Sequence, residues 1–257
     1  MLFRSDEHLE SNIERFTAAI PAPDSPAMQE IESIVEEFLE TSITDNRLKE
    51  LIRPDYRAAC KRLIYSSNFF EAIQRDNVEV LVENVDRIEA RGIRCRDGKL
   101  REFDIIVLAT GYRPHEFMRP MNVIGRNGTL LNDFWRDKPV AYLSVSIPEF
   151  PNLFMLNGPN GPVGNFSLIE IAECQWSYIE QLLEVLESGP HQQLCATMQA
   201  TRDFEAARVK QAKKTIFATG CGSWYLDAEG TPATWPWTRR EFKEAMAKPD
   251  LTDFDHH

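Results

Sequence analysis

Residues 151–173 read PNLFMLNGPNGPVGNFSLIEIAE: a short apolar run, a turn rich in glycine and proline, and then the start of an apolar-periodic segment. The first part, residues 152–156, is a strand candidate. Ser167 and Glu170 form an S-x-x-E capping box, which marks a helix start. Beyond them Leu168, Ile171, Ala172, Trp176, Ile179, Leu182, Leu183 and Leu186 recur at three and four residues, the spacing of one helix face. Gly189-Pro190 stops that helix. Upstream, residues 103–111 (FDIIVLATG) place five successive apolar residues before a Thr-Gly end, a pattern suited to a parallel strand buried on both faces. Residues 141–147 are a further strand candidate. Strand followed by helix predicts an α/β class, although few strands are visible for a doubly wound sheet.

The flanking segments fill in the chain. Residues 1–56 predict helix, with Ile31, Ile34, Val35, Phe38 and Leu39 on one face and Pro21, Pro23 and Pro26 separating an earlier helical piece. Residues 77–83 (NVEVLVE) alternate as a strand does, and Asp97-Gly98 is a hairpin turn signal. A second helix is expected over residues 193–214, followed by a tail rich in tryptophan and proline.

With 257 residues, 43% of them apolar, the chain can bury a substantial core. Its net charge of -11 opposes binding to nucleic acid or to an anionic membrane, both of which are gripped by excess Lys and Arg. Small molecules or protein are the expected partners. Cys60, Cys95, Cys174, Cys195 and Cys221 are widely spaced, with no C-x-x-C or His/Cys grouping, so reduced thiols and no metal site are expected. Without an apolar run of bilayer length or a signal peptide, the expected location is cytoplasmic.

Four blocks, in order, carry a resemblance: CKRLIYSSNFFEAI from Cys60, the strand ending Ala109-Thr110-Gly111, the glycine turn with its helix, and GCGSWYLDAEG from Gly220. Together they resemble the C-terminal part of the Baeyer–Villiger and related class B flavin monooxygenases. The resemblance implies an incomplete fold of two dinucleotide-binding domains, with parallel-sheet remnants and long helices. Residues 1–111 would be the end of the NADP-binding domain with a helical segment. Residues 112–257 would be the returning part of the FAD-binding domain with its Trp-rich tail. Neither G-x-G-x-x-G turn of such an enzyme occurs in this sequence; both would lie upstream of Met1.

The resemblance assigns Arg62 the catalytic role. A planar, always cationic fork suits a flavin peroxide anion and the oxyanion formed when it attacks a ketone. Lys61 would meet the NADPH 2'-phosphate, as an ammonium can. Without the surrounding block, a solvated Lys-Arg pair is the plainer reading. Gly158, Pro159, Gly164, Asn165, Phe166 and Ser167 would form the flavin-facing turn and helix start, where unpaired N–H groups favour negative charge. Relatives often read G-H-N-S where this chain has Gly164-Asn165-Phe166-Ser167. Ala109, Thr110 and Gly111 would mark the crossing between the two cofactor domains, and Trp224 would lie near the nicotinamide. His115 has no nucleophile or carboxylate in a recognisable arrangement with it and is given no catalytic role.

The function implied is an FAD- and NADPH-dependent insertion of one oxygen from O2 beside the carbonyl of a small ketone. Two alternatives stay open. One is oxygenation of nitrogen or sulfur; the other is a non-catalytic truncated product or a subunit complementing a separately encoded N-terminal half.

Overall fold

A computed structural model describes residues 6–64, 66–164, 167–190 and 192–256. The elements run α1 (Asp6–Ala19), α2 (Pro26–Ser42), α3 (Asn46–Ile52), α4 (Phe69–Ala72), β1 (Val85–Glu89), β2 (Gly92–Cys95), β3 (Leu100–Glu102), α5 (Leu131–Phe134), α6 (Leu168–Ser188), β4 (Leu194–Ala196), α7 (Met198–Ala212), α8 (Arg239–Ala247) and β5 (Phe254–His256). They fall in two compact units. The larger is drawn from Met1–Val35, Asp55–Tyr65 and Pro114–His257, the smaller from Glu36–Pro54 and Ser66–Arg113.

In the larger unit, α6 supplies the core face that its spacing predicts only in part. Ile171, Tyr178, Ile179 and Leu182 are buried in one cluster with Ile20, Met28, Ile31, Ile216, Phe217, Trp235 and Phe242. Full burial of such side chains is worth about 1.5–3 kcal/mol each. Leu168 and Trp176, from the same sequence stripe, stay about half exposed. Apolar spacing alone merged two faces of the helix. A second cluster gathers Leu131, Trp135, Ala141, Ile147 and Phe150.

The cap at Ser167 forms as expected, its side chain accepting from the Glu170 N–H, and Gly189 ends the helix. The Glu170 carboxylate does not return to complete the box. Arg239 and Lys243 of α8 take it instead.

Several strand expectations are corrected. Residues 141–147 form a tight loop, because Leu143 and Ser144 adopt positive φ (49° and 62°), and only isolated bridges join Tyr142 to Ser146 and Ser146 to Phe154. Helix α7 begins at Met198 rather than near 193, since Leu194–Ala196 pair antiparallel with Phe254–His256. That partner lies too far along the chain for local patterning to reveal.

The smaller unit holds the antiparallel sheet β1-β2-β3, turning at Asp97-Gly98 as the sequence predicts. Residues 77–83 fall outside any strand. Val85 already pairs with Cys95, and the hairpin then turns, leaving no partner for what precedes. Residues 103–111 likewise form no strand among the described residues, and Ile105, Val107 and Leu108 are 80%, 82% and 70% exposed. No described strand runs beside them, so the predicted two-sided burial is absent. The described sheets are antiparallel.

Candidate functional site

The glycine turn of residues 158–164 is held from beneath by the larger unit's own chain. A Cβ on Gly158 would stand 2.3 Å from the Ser144 carbonyl oxygen, so glycine is needed there for backbone contact within the protein. Ser144 Oγ accepts from Gln175 Nε2 of α6 at 2.8 Å, and Gln175 Oε1 accepts from the Asn157 N–H at 2.7 Å. Gln175 is fully buried, so the turn is anchored to the helix it feeds by a satisfied amide. The Trp235 N–H donates to the Gly161 carbonyl at 3.1 Å and ties the tail to the same turn. Sequence reasoning missed Gln175; a glutamine on an otherwise apolar helix face was the available signal.

Gly158, Pro159, Asn160, Gly161 and Pro162 are buried. Gly164 turns upward with φ +87°, a conformation that side chains with a Cβ rarely adopt. Asn165 and Phe166, also expected in this turn, lie outside the described residues.

Arg62 reaches the turn from a segment 102 residues away: its Nη1 donates to the Gly164 carbonyl oxygen at 2.9 Å. The guanidinium is otherwise exposed. Lys61 instead sets its ammonium over the Tyr56 ring, 4.2 Å from the centroid, a cation–π contact. Immediately before this pair, Cys60 is joined to Cys221 by a disulfide, with Cα atoms 6.2 Å apart. The expectation of reduced thiols is corrected at these two positions. Two cysteines 161 residues apart meet only because the fold lays their segments side by side, which spacing could not show. Cys95, Cys174 and Cys195 are free.

The segment that follows Cys221 brings aromatic rings to the same place. Trp224 is half exposed, with its ring centroid 4.2 Å from that of Tyr225. Tyr225 is fully buried against Phe217 at 4.6 Å. Burial pushes the Tyr225 phenol up from its ordinary pKa, and the nearby Arg62 guanidinium partly offsets that push.

At the start of α6 the local charge is balanced. Burial pushes the Glu170 carboxyl up, but hydrogen bonds from Arg239 and Lys243 outweigh it and hold the group below its usual range. Arg239 also pairs with Glu14 at 2.6 Å. The carboxylate nearest the helix start is thus neutralised, leaving the partial positive charge of that terminus in place.

Among the sequence candidates, Arg62, Lys61, Gly158, Pro159, Gly164, Ser167 and Trp224 belong to the larger unit, whereas Ala109, Thr110 and Gly111 belong to the smaller one. His115 contacts the Leu226 carbonyl through Nε2 at 3.1 Å. That contact ties one ring nitrogen to backbone.

No family model matches the chain. A monooxygenase of Mycobacterium tuberculosis is 40% identical over 213 residues, covering 83% of this chain and 43% of the relative. A Baeyer–Villiger monooxygenase of Streptomyces coelicolor is 31% identical over 227 residues, covering 87% and 44%. The closed crystal structure of a cyclohexanone monooxygenase superposes with a TM-score of 0.80 at 25% identity, over 98% of this chain and 51% of that one. The chain therefore corresponds to the C-terminal part of a class B flavin monooxygenase. Within that class its likeness is to the Baeyer–Villiger enzymes, and it spans about half the length of the relatives it matches.

Proposed function

We propose that this chain supplies the C-terminal part of an FAD- and NADPH-dependent monooxygenase that inserts one oxygen of O2 beside the carbonyl of a small ketone. The observation that carries the reading is the Arg62–Gly164 hydrogen bond, which joins two of the family-like sequence blocks at one point. Around that point the residues fit a flavin. Asn157 Oδ1 and Asn160 Oδ1 are buried without a hydrogen-bond partner among the described residues, and native proteins seldom leave such atoms unpaired. The two amide oxygens can accept from a flavin ring N–H or a ribityl hydroxyl. The start of α6 adds N–H groups and positive potential suited to the anionic edge of a reduced isoalloxazine.

When bound, FAD supplies the oxygen activation and NADPH the reducing equivalents. Arg62 spends one N–H on Gly164 and keeps the others for negative charge developing on oxygen, which a guanidinium stabilises without changing protonation. Lys61 offers an ammonium for the 2'-phosphate of NADP, and half-exposed Trp224 offers an indole face for its nicotinamide end. In this reading residues 112–257 belong to the FAD-binding domain and residues 1–111 to the end of the NADP-binding domain. Ala109, Thr110 and Gly111 form the crossing between them.

The test supplies the missing portion. Co-expression with the half of the Streptomyces coelicolor relative that this chain does not match should give a yellow complex that consumes NADPH and turns a cyclic ketone into its lactone. Arg62→Ala should still consume NADPH yet lose about a hundredfold or more in lactone formation, the usual cost of one oxyanion donor. Near-normal lactone formation by Arg62→Ala would remove Arg62 from the chemistry. A complex that oxidises only amines or sulfides would transfer the reading to heteroatom oxygenation.

A further inference from the structure

We propose that Tyr225 is a positioning residue whose phenolic oxygen, buried beneath the glycine turn, fixes where the Arg62 guanidinium stands. This rests on the functional reading above only for its kinetic consequence; the contact itself stands on geometry.

Tyr225 is held on every side except at its hydroxyl. Its N–H donates to Ser223 Oγ at 3.2 Å, and its carbonyl accepts from the Ala233 N–H at 2.8 Å. Its ring is closed in by Phe217 and Trp224. The hydroxyl, fully buried, has no hydrogen-bond partner within bonding distance among the described residues. A side chain so fixed, with its polar atom unpaired, is placed for something other than packing, since phenylalanine would pack equally well.

The oxygen points at the Arg62 anchor. A Cβ added to Gly164 would stand 3.1 Å from it, and the Gly164 carbonyl is the atom to which Arg62 donates. The guanidinium is close enough to stabilise the phenolate form against burial. The two segments are also stapled together: Cys60, two residues before Arg62, is bonded to Cys221, four residues before Tyr225. Arg62 therefore has one acceptor engaged and a second, the Tyr225 oxygen, beside the same anchor. Two acceptors in fixed positions define the plane of a guanidinium, whereas one allows it to swing. Because its oxygen faces the Gly164 anchor of Arg62, Tyr225 acts on Arg62 rather than on substrate.

The first arm of the test uses the 257-residue chain. Installing 3-fluorotyrosine at position 225 alone gives a single fluorine resonance that needs no assignment. Replacing exposed Arg62 by Met should move that resonance by more than its line width, while Arg62→Lys should restore it only in part. An unmoved resonance in Arg62→Met overturns the proposal. The second arm uses the reconstituted complex. Tyr225→Phe should leave NADPH consumption near wild type but lower the fraction of it recovered as lactone about tenfold, the scale of a misplaced catalytic group. Wild-type coupling in Tyr225→Phe also overturns the proposal, because a packing role alone would lower folding yield and leave coupling intact. If the unmodified complex makes no lactone, the functional reading fails, and the fluorine arm still decides the contact.

Discussion

Arg62 and Arg208 show how differently two arginines can be used in one unit. Arg62 is exposed and spends a single N–H, so its charge remains available. Arg208 is fully buried and makes four hydrogen bonds. Its Nε and Nη2 grip Glu205 at 2.6 and 2.8 Å, and Nη1 donates to the carbonyls of Pro232 and Thr234. Burial pushes the Glu205 carboxyl up, yet hydrogen bonds from Arg208, with Lys138 adding to them, hold it below its usual value. A depressed folded pKa means this pair contributes its full stability above the ordinary carboxylate range. The contribution is lost as pH falls through the lower folded value. Glu205→Gln should thus cost about 3 kcal/mol at neutral pH, because it leaves a buried guanidinium without its charge partner. The wild-type advantage should shrink towards zero on acidification below about pH 4, read from urea unfolding at a series of pH values. A difference that stays constant with pH would show that the pair acts through shape alone. None of this was legible in the sequence, where Arg208 sits among other charged residues of α7 and nothing marks it as the buried one.

Helix α6 is the element that local sequence described best. Its Ser167 cap and its glycine stop are signals carried within a few residues and are realised in the structure, as is part of its apolar spacing. The tail, expected only to be rich in tryptophan and proline, also holds α8, which starts with a complete capping box from Thr238 to Glu241. The strands fared worse for a physical reason. A strand exists only with a partner, and the partner of Leu194–Ala196 lies in the last residues of the chain. The candidate site divides along the same line. Arg62, Gly164 and Ser167 could be named from their blocks, whereas Gln175 and Tyr225 act through contacts between segments far apart in sequence. Because α6 begins at the glycine turn, its cap bears on both stability and site. Ser167→Ala should cost about 1 kcal/mol, the usual worth of an N-cap, with Ser167→Asp recovering it. Equal unfolding midpoints for wild type and Ser167→Ala would show that the helix start is held by Gln175 and the Arg239–Glu170 pairing instead.

At the scale of the whole molecule, the two units differ in how well they are covered. The larger gathers a broad apolar cluster, while the smaller leaves Ile105, Val107 and Leu108 open to solvent in the very segment whose composition calls for burial on both faces. Open apolar surface of that kind favours association, either with other copies or with a chain that supplies the neighbouring strands. Cofactor retention follows the same logic. Tight FAD binding in dinucleotide folds draws on the backbone N–H groups of a G-x-G-x-x-G turn, which cradle the pyrophosphate, and this sequence contains no such turn. Under the proposed function, the groups around Gly164 and Arg62 would orient an isoalloxazine but would give the pyrophosphate no glycine-turn cradle. The 257-residue chain purified alone should therefore be colourless, should consume no NADPH when FAD is added, and should elute from a sizing column ahead of a monomer. Co-expression with a half that carries both glycine turns should shift it to a discrete complex and confer the visible absorbance of bound flavin. A monomeric yellow protein from the chain alone would mean that the flavin-edge contacts suffice for binding, and the assignment of the pyrophosphate grip to absent glycine turns would then be wrong.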